Sequence, residues 1–557
     1  MKMIDGYPDY MRKSIENVNK TRAKRLNEVK TDLTEAERKE VLDNYHPDYN
    51  PKFKRDISWG PNKGDNVPNE VVDILEAYPT VHPDDVDLSQ IDYDVGVLVI
   101  GAGGAGNSAA LWALYEGVPA DQILIVTKLR LGDCNTVMAQ GGIQAADRPE
   151  DSPLIHYLDA IGGGHFDNKP ELVKALVGDA PKIIKWHKEL GMMYDQNEDG
   201  SFLEISGGGT SRNRMHCSKD YTGMEIFRTL KDEVINKEIP YLEFSPAVEL
   251  LTDETGRIAG AVLYNVETKQ YFIVRSKITV LSTGGFGRLH VAGFPTTNHY
   301  GATADGVVMA YRAGAKLRNL ESTQFHPTGA AFPEQIVGLL ITEKVRSMGG
   351  QVLGRDGEQI CYPLEPRDVE ASSLIKCCTS TDNYIETPTG MRGIWLDSPL
   401  IDEIHGKGTV EKNLSAMFRM MKRFGINISK DPILVYPTLH YQNGGVEIDE
   451  NCYTSLNGLL VAGEISGGVH GMNRLMGNSL LEINVFGRRA GITAAKEYKK
   501  KVKLSGKLTL DHVRKVMKIL DSLDLKEKRY SPIILPEYRS DAVRDRLVQL
   551  YEQEPTW

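Results

Sequence analysis

Residues 93–110, YDVGVLVIGAGGAGNSAA, constrain the fold more than any other stretch of the chain. Val95, Val97, Leu98, Val99 and Ile100 form a short apolar run, a strand pattern. Gly101, Gly103 and Gly106 follow in G-x-G-x-x-G spacing, and residues 107–113 read as a helix of small side chains. The first glycine permits a tight turn and the second lets backbone approach a diphosphate. The third lets the helix pack on the strand, and the helix N-terminus faces the negative charge. A glycine trio alone fits any glycine-rich loop. With the strand before it and the helix after it, a bound dinucleotide is the better reading.

Which dinucleotide depends on the next strand, residues 122–127 (QILIVT). In an NAD-type fold an acid at the end of this strand holds the ribose. Here Thr127-Lys128 stands in its place, which argues against a simple NAD site. Further on, residues 247–251, 258–264 and 271–275 read as antiparallel strands. Residues 278–281 read as a separate buried strand running into Ser282-Thr283-Gly284-Gly285. Gly141-Gly142 and Gly162-Gly163-Gly164 mark turns, residues 174–190 an amphipathic helix, and Asp305-Gly306 precedes another helix. Residues 321–437 look irregular. The strand pattern returns at 458–462 (GLLVA), followed by Glu464 and a long helix over 478–499. Such separated segments predict a nucleotide domain interrupted by an insertion.

The flanks differ in character. Residues 11–30 are basic, with Met11, Ile15, Val18, Ala23, Leu26 and Val29 at loosely helical spacing. Thr34 and Glu37 have capping-box spacing. Prolines then punctuate an extended arm with no apolar pattern of its own, either a strap on this chain or a dock for another subunit. The tail, 508–557, reads as helical at first and then irregular.

At 557 residues there is room for about two or three domains. A net charge of -10 argues against nucleic acid as a partner. No apolar run has membrane-spanning length, and MKMIDGYPDY has no signal-peptide core, so the cytoplasm is expected. The six cysteines form neither C-x-x-C nor C-x-x-C-H, which excludes the usual runs for an iron–sulfur cluster or c-type haem. The histidines lie far apart without cysteine partners, so no metal site is expected. His326, Thr342, Arg346, Arg367, His440 and Arg474 all lie in turn-rich settings. Two arginines and two histidines plus a threonine hydroxyl could grip a small molecule with two carboxylates, because the guanidinium fork matches a carboxylate.

The ordered motifs VIGAGGAG, VTK, NTVMAQGGIQAA, STGG, TADG, QFHPTG, TEKVR, PRD, LHYQNGGVEID, GLLVAGE, HGMNRLMGNSLLE and FGRRAG resemble the flavoprotein subunits of succinate dehydrogenases and fumarate reductases, a family that includes L-aspartate oxidase. The resemblance implies FAD and an α/β fold. A glutathione-reductase-like, Rossmann-type FAD-binding domain (93–318 and 437–500) would be interrupted by an α+β capping domain (319–436), between an N-terminal arm (1–92) and a short C-terminal tail (501–557). FAD would lie against Gly101, Gly103, Gly104, Ala105, Gly106, Thr127, Lys128, Asn135, Thr136, Gln140, Gly141 and Gly142. Val248, Thr283, Gly284, Gly285, Asp305, Glu464, Arg474, Ser479 and Leu480 would complete its site.

By the same resemblance His326, Thr342, His440 and Arg474 would hold the substrate carboxylates. Arg367 would donate the proton, fed by Glu343 and Arg346. Members linked to a membrane bond flavin covalently through a His where Asn135 stands, so FAD is expected to be non-covalent here. That leans the reading toward fumarate reduction. The electrons would come from an iron–sulfur partner subunit, which could also bring the chain to the inner face of a membrane. L-aspartate oxidase, and a flavin-carrying electron-transfer or scaffold subunit without catalysis, are the alternatives.

Overall fold

The computed structural model describes residues 6–28, 30–500, 507–538 and 540–551. Val29, the last position of the basic helical pattern, lies outside the described residues, as do 501–506 and the end of the tail after 551.

The arm is more regular than its prolines suggest. Helix α1 (Asp9–Arg25) buries Met11, Ile15 and Val18, one stripe at helical spacing. Helix α2 (Glu35–Tyr45) opens on the expected capping box: the Glu37 amide donates to Thr34 Oγ1, and the Thr34 amide donates to Glu37 Oε2 at 2.8 Å. Both helices lie as a strap on their own chain. Arg22 and Arg25 each reach Asp397 at 2.8 Å, and Trp395 Nε1 donates to Ser14 Oγ at 2.9 Å.

The first sheet is organised on β1 (Tyr93–Ile100), buried from Val95 onward as a strand covered on both faces must be. Gly101 turns the chain at φ +109° into helix α3 (Gly104–Tyr115). A Cβ on Gly106 would meet the Gly101 carbonyl oxygen at 1.9 Å, so helix and strand close on each other only without side chains there. Strand β2 (Ile123–Val126) pairs parallel with β1. Residues Gly162 and Gly163, expected in a turn, end the helix Pro153–Gly163 instead. The helix expected at 174 starts earlier, as Pro170–Glu189, with Pro170 at its first position, where a missing N–H costs nothing.

Strands β3 (Ala247–Asp253) and β4 (Ile258–Tyr264) pair antiparallel. The two strands expected over 271–281 are one, β5 (Tyr271–Leu281). Its first half runs antiparallel to β4, and residues 274–281 run parallel to β1. The polar break at Ser276 does not end it, because that buried hydroxyl is bonded to Thr279 Oγ1 at 2.9 Å. The returning segment Leu459–Val461 pairs parallel with the end of β5, which places the distant strand in the first sheet.

Residues 321–437, expected to be irregular, carry a second sheet. Its order is β6 (Thr323–Ala330), β9 (Ile433–Gln442), β8 (Arg392–Asp397), β7 (Gln351–Leu353), and helix α4 (Arg367–Ser380) packs against it. Proline and glycine hid β6 in the sequence: the register shifts between His326 and Gly329, where Pro327 and the bulge fall. Strand β9 crosses the expected 436/437 boundary unbroken. Helix α5 (Asn478–Lys499) returns to pack along α3. The tail holds a second helix, Ser540–Tyr551, beyond the part read as helical. No helix among the described residues is long and apolar enough to cross a membrane.

Candidate active site

Three adjoining cavities run from the glycine turn into the space between the sheets. The first is lined by Gly101, Gly103, Gly104, Ala105, Thr127, Lys128, Thr283, Gly284 and Asp305. It shares Asn135, Thr136 and Glu464 with the second, which also has Ser479 and Leu480 on its wall. Ser479, Leu480 and His440 are common to the second and the third. The third is closed by Gln140, Gly141, Gly142, His326, Thr342, Glu343, Arg367 and Arg474.

The fold thus brings most of the sequence-predicted residues to one channel. Gly106 is used against Gly101, and Gly285 against Glu464, whose Oε1 would lie 2.5 Å from a Cβ there. Val248 points elsewhere: its side chain is buried with Val81, Leu251 and Val513, and its neighbour Ala247 lines the cavity. Arg346 stands behind Glu343 rather than on the wall.

At the nucleotide end Lys128 Nζ lies 2.7 Å from both Asp305 Oδ2 and Thr303 Oγ1 and donates to the Ile533 carbonyl at 2.6 Å. The tail is therefore tied to this cavity, which the sequence did not suggest. At the junction of the first two cavities Asn135 Nδ2 donates to Asn298 Oδ1 at 2.6 Å, and Asn135 Oδ1 accepts from the His299 amide at 2.9 Å. Burial pushes the Glu464 carboxyl up to about 7.

The third cavity is cationic. Arg367 is the first residue of α4, placed there by Pro366 in an extended conformation. Its guanidinium is lowered from the usual value by burial, and the positive end of a helix dipole acts in the same direction. Its Nε donates to Glu343 Oε2 at 2.8 Å, and Arg346 Nη2 lies 3.4 Å from the same oxygen. The Gly208 amide donates to Glu343 Oε1 at 2.8 Å. Burial opposes ionisation of Glu343, but Arg367 and Arg346 outweigh it and hold the carboxyl at about 2. Arg346 Nη1 bonds Glu370, a second buried carboxyl that burial raises to about 8.

Across the cavity Arg474 lies over the Tyr441 ring at 4.6 Å, and burial lowers its guanidinium to about 9. His326 and His440 meet edge to face at 5.0 Å, and burial holds both well below the usual histidine range. His326 Nδ1 lies 3.2 Å from both the Thr328 amide and the Thr328 carbonyl oxygen, which leaves Nε2 toward the cavity. His440 Nδ1 is 2.8 Å from Thr297 Oγ1.

Three residues of this site escaped assignment from sequence. Gln324 accepts from both Arg367 and Arg474. It stood in the quoted QFHPTG motif, and its place on the same strand two residues before His326 was the available signal. Glu370, three residues after Arg367 on one helix, was signalled by that spacing. Gly208 left no signal beyond its neighbouring glycines.

The family described as FAD binding domain matches residues 96–480. The chain belongs to that family. Its relatives include a CoM/CoB fumarate reductase subunit of Methanothermobacter marburgensis, 37% identical over 72% of this chain and 73% of that protein. L-aspartate oxidase of Clostridium acetobutylicum is 35% identical over 71% of this chain and 86% of that protein. Among solved structures, a mutant form of the FrdA chain of E. coli quinol fumarate reductase superposes with TM-score 0.69 at 28% identity, covering 78% of this chain and 74% of that chain. The cofactor of this FAD-dependent oxidoreductase is FAD, and the channel fits it. A Cβ on Gly103 would meet nothing nearer than Cys134 Cβ at 3.7 Å, and the buried Thr283 Oγ1 and Gln140 Oε1 have no hydrogen-bond partner among the described residues.

Proposed function

We propose that this chain reduces fumarate to succinate, with Arg367 as the proton donor. The observation that carries the reading is the charge of the third cavity. Two guanidiniums, Arg367 and Arg474, face this cavity against one carboxylate, Glu343, whose charge is shared with Arg346 behind it. Positive charge is left over for a ligand, which suits a substrate bearing carboxylates.

FAD, when bound, supplies the hydride. Arg474, Thr342, His440 and His326 bind and orient the two carboxylates. Drawing charge toward those carboxylates makes the alkene more electrophilic. Arg367 gives its proton to the other alkene carbon. Glu343, ionised and 2.8 Å from Arg367 Nε, restores that proton from Arg346 and Glu370 behind it. A carboxyl with a pKa of about 2 holds a proton only in passing, which suits a relay.

An amide such as Asn135 cannot carry the covalent flavin link that a histidine can, so FAD is held by contacts alone. In the proposed arrangement electrons come from an iron–sulfur partner subunit, a reading supported by relatives that are themselves flavoprotein subunits. The Clostridium relative supports a second reading, L-aspartate oxidation at the same dicarboxylate grip. Anaerobic assay of the FAD-loaded protein separates the two. Fumarate-dependent oxidation of reduced viologen, lost in Arg367→Ala with FAD retained, is the expected result. Rapid flavin reduction by L-aspartate, without fumarate turnover, would replace this reading with the second.

A further inference from the structure

Outside the channel, three chain segments far apart in sequence bring Asp147, Glu204 and His216 together, with one ligand-type atom of each inside 4.8 Å of the others. The segments are neighbours because Ile143–Gln144, Met215–His216 and Glu204–Ile205 form a small antiparallel sheet in that order. His216 is fully buried, and its Nδ1 lies 3.2 Å from the Arg214 carbonyl oxygen. Only the ring nitrogen can donate in that contact, so the neutral ring presents a bare lone pair on Nε2. Nε2 has no hydrogen bond of good geometry and lies 3.3 Å from Asp147 Oδ2 and 3.4 Å from Glu204 Oε1.

Three electron-rich atoms turned toward one point need a metal ion or a proton between them, and Arg148 offsets only part of the charge on Glu204. Ligands about 2.1 Å from a tetrahedral ion are separated by about 3.4 Å, so the two observed edges match a coordination polyhedron. The surroundings also match. A backbone carbonyl fixes the imidazole tautomer, Arg148 Nε lies 3.0 Å from Glu204 Oε1, and Tyr194 and Phe202 meet the imidazole edge to face. Asp147 gives a route in, its side chain being 22% exposed.

We propose that Asp147, Glu204 and His216 bind one divalent transition-metal ion, Zn2+ or Mn2+. One imidazole with two carboxylates suits these ions better than Ca2+ or Mg2+, and the solvent side leaves room for water ligands. The ion fastens the small sheet. Gly141 and Gly142 of the substrate cavity lead directly into that sheet, and the Gly208 amide that holds Glu343 follows Glu204 by four residues. No metal spacing was readable in the sequence because residues 147, 204 and 216 meet only through that sheet. The proposal does not depend on which substrate the channel takes.

The competing arrangement is a proton in the same place, since burial raises the Glu204 carboxyl to about 7. Calorimetric titration of chelator-treated, FAD-loaded protein with ZnCl2, then MnCl2, at pH 7.5 distinguishes them. One equivalent should bind with release of protons. Affinity should fall by about 100-fold or more in Glu204→Gln, and likewise in Asp147→Asn, whose exposed side chain makes misfolding a poor explanation. Mn2+ bound to the intact protein should lose its free-ion electron paramagnetic resonance signal, and Asp147→Asn should restore it. Absence of binding by the intact protein, or binding unchanged in both variants, would overturn the site.

Discussion

Arg367 and Arg474 donate to one and the same oxygen: Gln324 Oε1 is 3.0 Å from Arg367 Nη1 and 2.7 Å from Arg474 Nη2. A neutral acceptor thus holds two guanidiniums side by side without cancelling their charge. In Gln324→Leu both lose a charged hydrogen bond, each worth about 1.5–3 kcal/mol. Steady-state kinetics should show kcat/KM for fumarate lowered about 10- to 100-fold, chiefly through KM, with FAD content unchanged. In Gln324→Glu the new carboxylate takes the place of a substrate charge, so inhibition by succinate should weaken as well.

Glu343→Gln leaves Arg367 and Arg346 buried without their shared anion. Turnover should drop about 10²- to 10⁴-fold, the range of general acid–base catalysis. KM should change far less, because Glu343 does not grip the carboxylates in the proposed arrangement. A drop confined to KM would count against the relay.

Acid should destabilise the fold through two histidines outside the channel. Burial lowers His156 and His187 to about 4, Arg214 adding to the effect at His156. Between the ordinary value near 6.5 and about 4 the unfolded chain binds protons that the folded one refuses. Stability is therefore fully present above that window and lost as pH falls through it, by up to ~3 kcal/mol for each residue. Scanning calorimetry should show Tm falling from pH 6.5 to 4. His187→Gln should flatten that slope even if it costs stability at pH 8.

The strap depends on one buried carboxylate. Asp397 holds both Arg22 and Arg25. Asp397→Ala strands the fully buried Arg25, at a cost of about 3–5 kcal/mol. Limited proteolysis should then cut within residues 6–45 while residues 93–499 persist.

Much of the dinucleotide half was legible because backbone geometry itself demanded the residues: Gly101 and Gly106 cannot carry side chains where they stand. The arginine and histidine set was legible through its motifs. The second sheet was not, since Pro327 and the bulge beside it hide the alternation that marks a strand. β5 was split in two because Ser276 looks like an end until Thr279 satisfies it. Gln324 was signalled only by its place near His326 on β6, and Asp147, Glu204 and His216 were invisible for a different reason. Their roles arise from approach across the fold, which local spacing does not encode.

The arm reaches further inward than a strap needs to. The Leu33 amide and Arg38 both hold Glu365, two residues before Arg367, and Val41 and Leu42 pack on Val369 two residues after it. Mechanically, α2 is a lever with its short end on Arg367. A pull or a push on the N-terminal segment would bear on the chain on both sides of Arg367, and through Asp48 on Thr323 beside Gln324.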